Sequence, residues 1–179
     1  LAPLHNPHHA LGMKLMQEYF PDLPQVALFD TAFHSTLPEY AYLYAIPYEY
    51  YKKYQVRRYG FHGLSHDYVS QKGAKMVEIP LKDLQIVSCH LGNGCSVTAI
   101  KGGISIDTSM GIGPLEGVMM GHRSGDVDPT LFPYLSERSG LSQEGVSELL
   151  NQRRGILGGS GVCHDLRLVM EAADAGNRR

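Results

Sequence analysis

Residues 84–109 read LQIVSCH, LGNG, CSVTAIK, GG and ISIDTS, three strand-like runs joined by tight glycine turns. Connections this short restrict the segment to an antiparallel meander, because parallel neighbours need a crossover of a dozen residues or more. The rest of the chain must therefore cover that sheet. Apolar spacing and stop signals predict helices over 10–20, over 66–78 with Ser65 as cap, and over about 165–175. Asp128-Pro129 predicts another helix start, with Asp at the N-cap and Pro in the first turn. Leu141-Ser142 opens a further helix, with Leu141 placed to staple Val146. PQVALFD (24–30) reads as a short buried strand ending on Asp30. Tyr40, Tyr44, Tyr48 and Tyr51 trace a helical stripe that Pro47 should break or kink, and packing explains it more simply than base stacking.

The twenty glycines are not a repeat. They gather at 92–94, 102–103, 111–125 and 155–161, between apolar runs. That is the arrangement of backbone turns approaching a ligand, not of a flexible linker. A net charge of -2 argues against binding nucleic acid or acidic membrane through bulk charge. No apolar run approaches the ~20 residues that span a bilayer. Three cysteines, Cys89, Cys95 and Cys163, form no CxxC, which favours a reducing compartment over a disulfide framework. No basic-then-apolar leader opens the sequence, so a cytoplasmic location is expected. The first residue is Leu1, so the chain is expected to be part of a longer product.

Four clusters carry chemistry. In His90-Leu91-Gly92-Asn93-Gly94 the glycines leave backbone N–H groups free to converge on an anion, and Asn93 adds a donor. The plain alternative is a type I′ turn, for which Asn-Gly is the preferred pair. No P-loop is present. In GHRSGDVDP (121–129) Arg123 stands between Gly121 and Gly125, and its planar fork suits a carboxylate or a phosphoryl group. Asp126 and Asp128 follow it, able to tether Arg123, hold a cation through water or cap a helix, with capping the expected job for Asp128. In RRYGFHGLSH (57–66) His62 and His66 are four apart, a zinc spacing if helical. The flanking Gly60 and Gly63 instead put His62 in a loop, where a charged or donor imidazole would face an anion. HNPHH (5–9) is a loop of histidines that reads as solvated or hydrogen-bonded rather than metal-binding. Asp30 either forms a turn or serves as a strand-end carboxylate. Together these are the parts of a phosphoryl-transfer site, where positioning and charge neutralisation do most of the catalysis.

PQVALFDTAFH (24–34), RRYGFHGLSH (57–66), VSCHLGNGCSV (87–97), DTSMGIGPLEGVMMGHRSGDVDP (107–129) and GILGGSGVCHDLR (155–167) resemble the acetate kinase family, in family order over nearly the whole chain. That family includes propionate and butyrate kinases. The resemblance implies an α/β fold of the ribonuclease-H-like, actin-like ATPase type, with a mixed sheet and flanking helices, incomplete in this chain. It implies that 1–32 end the first actin-like domain and 33–179 form the front of the second. Asp30 matches the essential aspartate, placing Mg²⁺ indirectly or the substrate arginines. Arg123 matches the arginine on the carboxylate and developing phosphoryl charge, and His62 the histidine donating to that group. Gly92, Asn93 and Gly94, with His90 and Leu91, match the loop on the ATP phosphates. Phe61 matches the acyl pocket, and His5 and His90 match supporting histidines.

Two departures stand out. Members usually carry Thr where this chain has His122, so the Arg123 loop is expected to sit differently. Cys163 and His164 replace small polar residues. The family's N-terminal phosphate loop, second substrate arginine, adenosine-binding glycines and Mg²⁺-linked glutamate have no counterpart here. The expected activity is reversible phosphorylation of acetate by ATP with Mg²⁺ (or Mn²⁺), in a homodimer. The alternatives are propionate or butyrate kinase, or a catalytically inactive piece of such an enzyme.

Overall fold

The computed structural model describes residues 6–152 and 154–178. β1 (Gln85–Leu91), β2 (Cys95–Lys101) and β3 (Ile104–Thr108) form one antiparallel sheet in the order β1-β2-β3. The meander is therefore as read. Gly102 and Gly103 join β2 to β3 with φ of 60° and 84°, the paired positive values of a turn whose twist matches the strands.

One face of this sheet is unusual in its chemistry. Ser88 pairs with Thr98, Thr98 with Thr108, and Ile100 with Ser105, so these side chains share a face with Ser96. All of them are buried. The covered face is thus lined mainly by hydroxyls, which need partners when taken from water. The Thr98 and Thr108 hydroxyls pair with each other at 2.8 Å. The others receive imidazoles. α4 (Gly63–Met76) and a 3-10 turn over Ala32–Thr36 pack against the sheet and supply His66 and His34.

Three expectations need correction. Residues 24–29 form no strand and Asp30 opens a turn; Val26 is 82% and Leu28 73% exposed. A run becomes a strand only when a neighbouring strand takes its N–H and C=O groups in a ladder; here the Phe29 carbonyl accepts from Ala32 and the Asp30 carbonyl from Gly63, both in turns. Ser65 does not cap a helix. α4 starts earlier, and the residue before it is His62, at φ 58°. The helix expected from residue 10 starts at Asn6, giving α1 (Asn6–Tyr19), which buries none of its residues.

The tyrosine stripe is interrupted as Pro47 requires, between α2 (Glu39–Tyr42) and α3 (Tyr48–Tyr54). The helix start expected at Asp128-Pro129 also needs correction: α5 (Leu131–Ser139) has Thr130 at its N-cap, Pro129 lies outside it, and Asp128 Oδ1 accepts from the Thr130 N–H at 2.8 Å in the turn leading into it. Ser142 caps α6 (Gln143–Gln152), accepting from the Gly145 N–H at 3.1 Å. α7 (Ile156–Ser160) and α8 (Leu166–Asp174) follow, the latter capped by Asp165. A second core of Met110, Met120, Val146 and Leu150, each with no exposed surface, anchors the long glycine-rich loop 109–126.

Candidate active site

The loop segment at 57–62 is held between three neighbours. Tyr59 and Gly60 both donate to the Gly111 carbonyl. His34, fully buried, bonds the Phe61 carbonyl through Nε2 and the Ser105 hydroxyl through Nδ1, each at 2.9 Å. Asp30 Oδ2 then accepts from the His62 N–H at 2.6 Å, and the Asp30 carbonyl accepts from Gly63 at 2.8 Å. Asp30 thus clasps the turn that holds His62 in its left-handed conformation. That conformation is strained for a residue with a β-carbon, so it persists only where the surroundings enforce it. Gly63 has no such freedom to spare: a β-carbon there would collide with the Asp30 carbonyl.

His62 Nδ1 lies 2.9 Å from the Ser96 hydroxyl, and the ring stacks on His90 with centroids 3.9 Å apart and planes 18° from parallel. His90 is fixed in turn by Ser65, whose hydroxyl is 2.9 Å from Nδ1. His66 Nε2 meets the same Ser96 hydroxyl at 2.7 Å. The two imidazoles spaced by four therefore share a hydroxyl. Among the described residues no group of three or more His, Cys, Asp or Glu is placed to hold a metal ion. Burial, with His90 and Arg123 nearby, lowers the His62 pKa against the opposing pull of Asp30. Burial thus favours the neutral ring of His62 over the charged one.

The β1–β2 connection brings the phosphate-loop residues to this ring. Asn93 and Gly94 both have negative φ, which excludes the type I′ turn. Leu91 pairs with Cys95 across a three-residue loop closed by Gly92 N–H to the Gly94 carbonyl at 3.1 Å. Gly94 is needed for room rather than for its dihedrals. A β-carbon there would lie 3.2 Å from His62 Nε2 and 3.4 Å from Arg123 Nη1. The bare backbone of Gly94, the free nitrogen of His62 and the guanidinium of Arg123 therefore border one space.

Arg123 reaches this space from the 109–126 loop. Nη1 donates to the Pro114 carbonyl at 3.2 Å and approaches Met120 Sδ at 3.6 Å. It is half-buried, and burial lowers its pKa. No carboxylate pairs with it among the described residues. Asp126 does not tether it, for Asp126 Oδ1 instead accepts from the Gly117 N–H at 2.7 Å. A partly buried, unpaired guanidinium is costly without an anion, so the arrangement favours an anionic ligand.

Asn93 joins the same wall. Its carbonyl accepts from the Gly121 N–H at 3.3 Å, and a β-carbon at Gly121 would collide with its amide oxygen. Asp30, His62, His90, Gly92, Asn93, Gly94 and Arg123 thus come together. Leu91 stands further out, 75% exposed at the end of β1. Phe61 contributes its carbonyl to His34, with its ring half-buried. His5 lies outside the described residues. Reading the sequence missed Ser88, Ser96 and His34. Small hydroxyls alternating along a strand carry no signal of their own, and only the strand register shows which of them face the imidazoles.

A family model, the Acetokinase family, matches residues 1–179. The acetate kinase of Bacillus subtilis is 55% identical over the whole chain, and that of Geobacillus kaustophilus 54%. The chain spans 45% of the length of each. A crystal structure of Porphyromonas gingivalis acetate kinase superposes with a TM-score of 0.93 at 48% identity, over 98% of this chain and 44% of that one. A propionate kinase from Francisella tularensis superposes with a TM-score of 0.93 at 50% identity, over 98% of this chain and 45% of that one. The meander and its helices are accordingly part of the α/β, actin-like ATPase fold of these kinases. With a family match from its first residue to its last, the chain belongs to the acetokinase family.

Proposed function

We propose that the protein to which these residues belong transfers the γ-phosphoryl group of ATP to acetate, reversibly. The observation that carries this is the convergence of His62 Nε2 and the unpaired Arg123 guanidinium on the space over Gly94. An acetate oxygen, already ionised near pH 7, attacks the γ-phosphorus in line. A new P–O bond forms as the bond to the ADP oxygen breaks, and no proton need move. Negative charge spreads over the three remaining phosphoryl oxygens, where preorganised donors are most effective. Arg123 supplies cationic donors and His62 a neutral one. Asp30 acts through the His62 turn rather than as a base. The 90–94 loop offers backbone N–H groups to the ATP phosphates, with Leu91 at its margin. Phe61 lies toward the acyl group, and His5 and His90 play supporting roles.

Mg²⁺ (or Mn²⁺) fits this site with Asp30 as a water-mediated partner. Asp30 is exposed, and its Oδ1 has no hydrogen-bond partner among the described residues. Such an ion characteristically keeps several waters and takes its remaining ligands from phosphates. When bound, it neutralises phosphate charge. Residues 1–32 would end one actin-like domain and 33–179 begin the next. In support, residues 6–30 are exposed throughout, whereas the turn from Ala32 packs on β3. The free state of all three cysteines supports a cytoplasmic setting. A homodimer is part of the same reading.

Arg123→Ala in the full-length protein should lower turnover by about 10³-fold, on the arginine-finger scale. Near-normal turnover would overturn the assignment. The similarity to a propionate kinase favours one second reading, the same chemistry on a longer acid. One methylene is worth only ~1–3 kcal/mol, so relative rates with acetate, propionate and butyrate decide between them. A 179-residue product with no turnover beside an active full-length protein would mark the chain as an inactive piece.

A further inference from the structure

Four side chains lie in line beneath the site. His66 Nδ1 is 2.9 Å from the Ser88 hydroxyl, His66 Nε2 is 2.7 Å from the Ser96 hydroxyl, and Ser96 is 2.9 Å from His62 Nδ1. Ser88, His66 and Ser96 are buried. Burial, reinforced by the neighbouring histidines, pushes His66 down to about 4, so its ring carries one proton near neutral pH. Each hydroxyl has one proton to give, and each neutral imidazole has one N–H and one lone pair.

Three arrangements turn all three contacts into hydrogen bonds, and one of them, in which both rings donate to Ser96, strands the buried Ser96 proton, which has no other acceptor among the described residues. In the first of the other two, Ser88 O–H donates to His66 Nδ1, His66 Nε2–H to Ser96, and Ser96 O–H to His62 Nδ1. The second runs the other way, with His62 Nδ1–H donating to Ser96, Ser96 to His66 Nε2, and His66 Nδ1–H to Ser88. The second leaves the Ser88 hydroxyl proton without an acceptor, because Ser88 Oγ has no other hydrogen-bond partner among the described residues. Stranding a buried donor is costly, whereas the first arrangement satisfies every internal donor.

We infer that Ser88, His66 and Ser96 form a one-directional hydrogen-bond chain that holds His62 as its Nε2–H tautomer. Its Nδ1 is occupied as an acceptor, so its single proton points to the space over Gly94, beside Arg123 Nη1. Two donors then face one anion position, as a phosphoryl oxygen requires. The reverse tautomer would present a lone pair to that oxygen and repel it. The three residues are positioning groups, acting on substrate only through His62. The catalytic consequence rests on the phosphoryl-transfer reading above; the tautomer does not.

Imidazole ¹⁵N NMR of the intact protein labelled at histidine tests this directly, with His62 signals assigned by their loss in His62→Gln. Near pH 7, His62 should show a protonated, pyrrole-type Nε2 and an unprotonated, pyridine-type Nδ1, and His66 should show the same pattern. A protonated His62 Nδ1 in the wild type overturns the chain without any variant. Ser88→Ala removes the proton that sets the direction. It should mix the two His62 tautomers and lower turnover about tenfold, with KM for acid and ATP changed less than about twofold. Ser88→Thr should restore both. An unmixed His62 tautomer in a folded Ser88→Ala protein also overturns the inference. Mixed tautomers with undiminished turnover would uphold the chain and count against a catalytic part for His62.

Discussion

His66 is fully buried as a neutral ring, and His34 beside it is buried too, its pKa likewise lowered by burial. Both must gain a proton when the protein unfolds in mild acid. The ordinary imidazole value is near 6.5 and that of folded His66 is about 4, so between these values the unfolded chain binds a proton that the folded one excludes. Stability from this source is complete above about pH 6.5, falls as pH drops toward 4, and changes no further below that. The loss from His66 is on the order of 3 kcal/mol, and His34 adds in the same direction. The urea midpoint should therefore be clearly lower near pH 4.5 than near pH 7, and His66→Gln should flatten the difference. An unchanged wild-type midpoint would contradict it. His122 and His164 stack with centroids 4.4 Å apart and planes at 27°. Distant in sequence, they could not have been recognised as partners before the chain was folded.

The 109–126 loop that carries Arg123 is not regular structure, yet it is tightly held. Arg58 Nη1 donates to the carbonyls of Thr108, Ser109 and Met110, and Nη2 to Glu116 at 2.6 Å. Tyr44 donates to the same carboxylate and accepts from the Ile112 N–H at 2.8 Å. The charged pair is largely withdrawn from water, with 19% and 30% of the two side chains exposed. Removing one member leaves the other underpaired, which costs more than an exposed ion pair would. Glu116→Ala should destabilise the protein by roughly 2–4 kcal/mol, read by urea unfolding. A change below about 0.5 kcal/mol would mean the clamp is dispensable. Tertiary bonding also decided the fate of individual elements. The meander was legible because glycine turns and alternation determine a hairpin locally. The run at 24–30 had equal strand character, but a strand is a pairing, and its partner is not among the described residues.

At the scale of the molecule, the packed part begins at the Ala32 turn. Before it, α1 exposes Leu11, Leu15, Met16 and Tyr19, and the following segment exposes Val26, Leu28 and Phe29. An amphipathic helix draws most of its stability from packing, and α1 buries none of its residues. In hydrogen exchange on the 179-residue chain, the amides of α1 should therefore exchange far faster than those of β2. Equal protection of the two elements would refute this.

Local chemistry in the sequence determined the three strands, the helix start at Ser142 and the break at Pro47. These follow from neighbours a few positions apart. Tertiary structure alone decided that Asp30 clasps the His62 turn, that Gly94 is bare to admit His62 and Arg123, and that Ser96 joins two histidines. The reason is physical: hydrogen bonds among residues some thirty or more positions apart exist only once strand register and helix packing have brought them within about 3 Å.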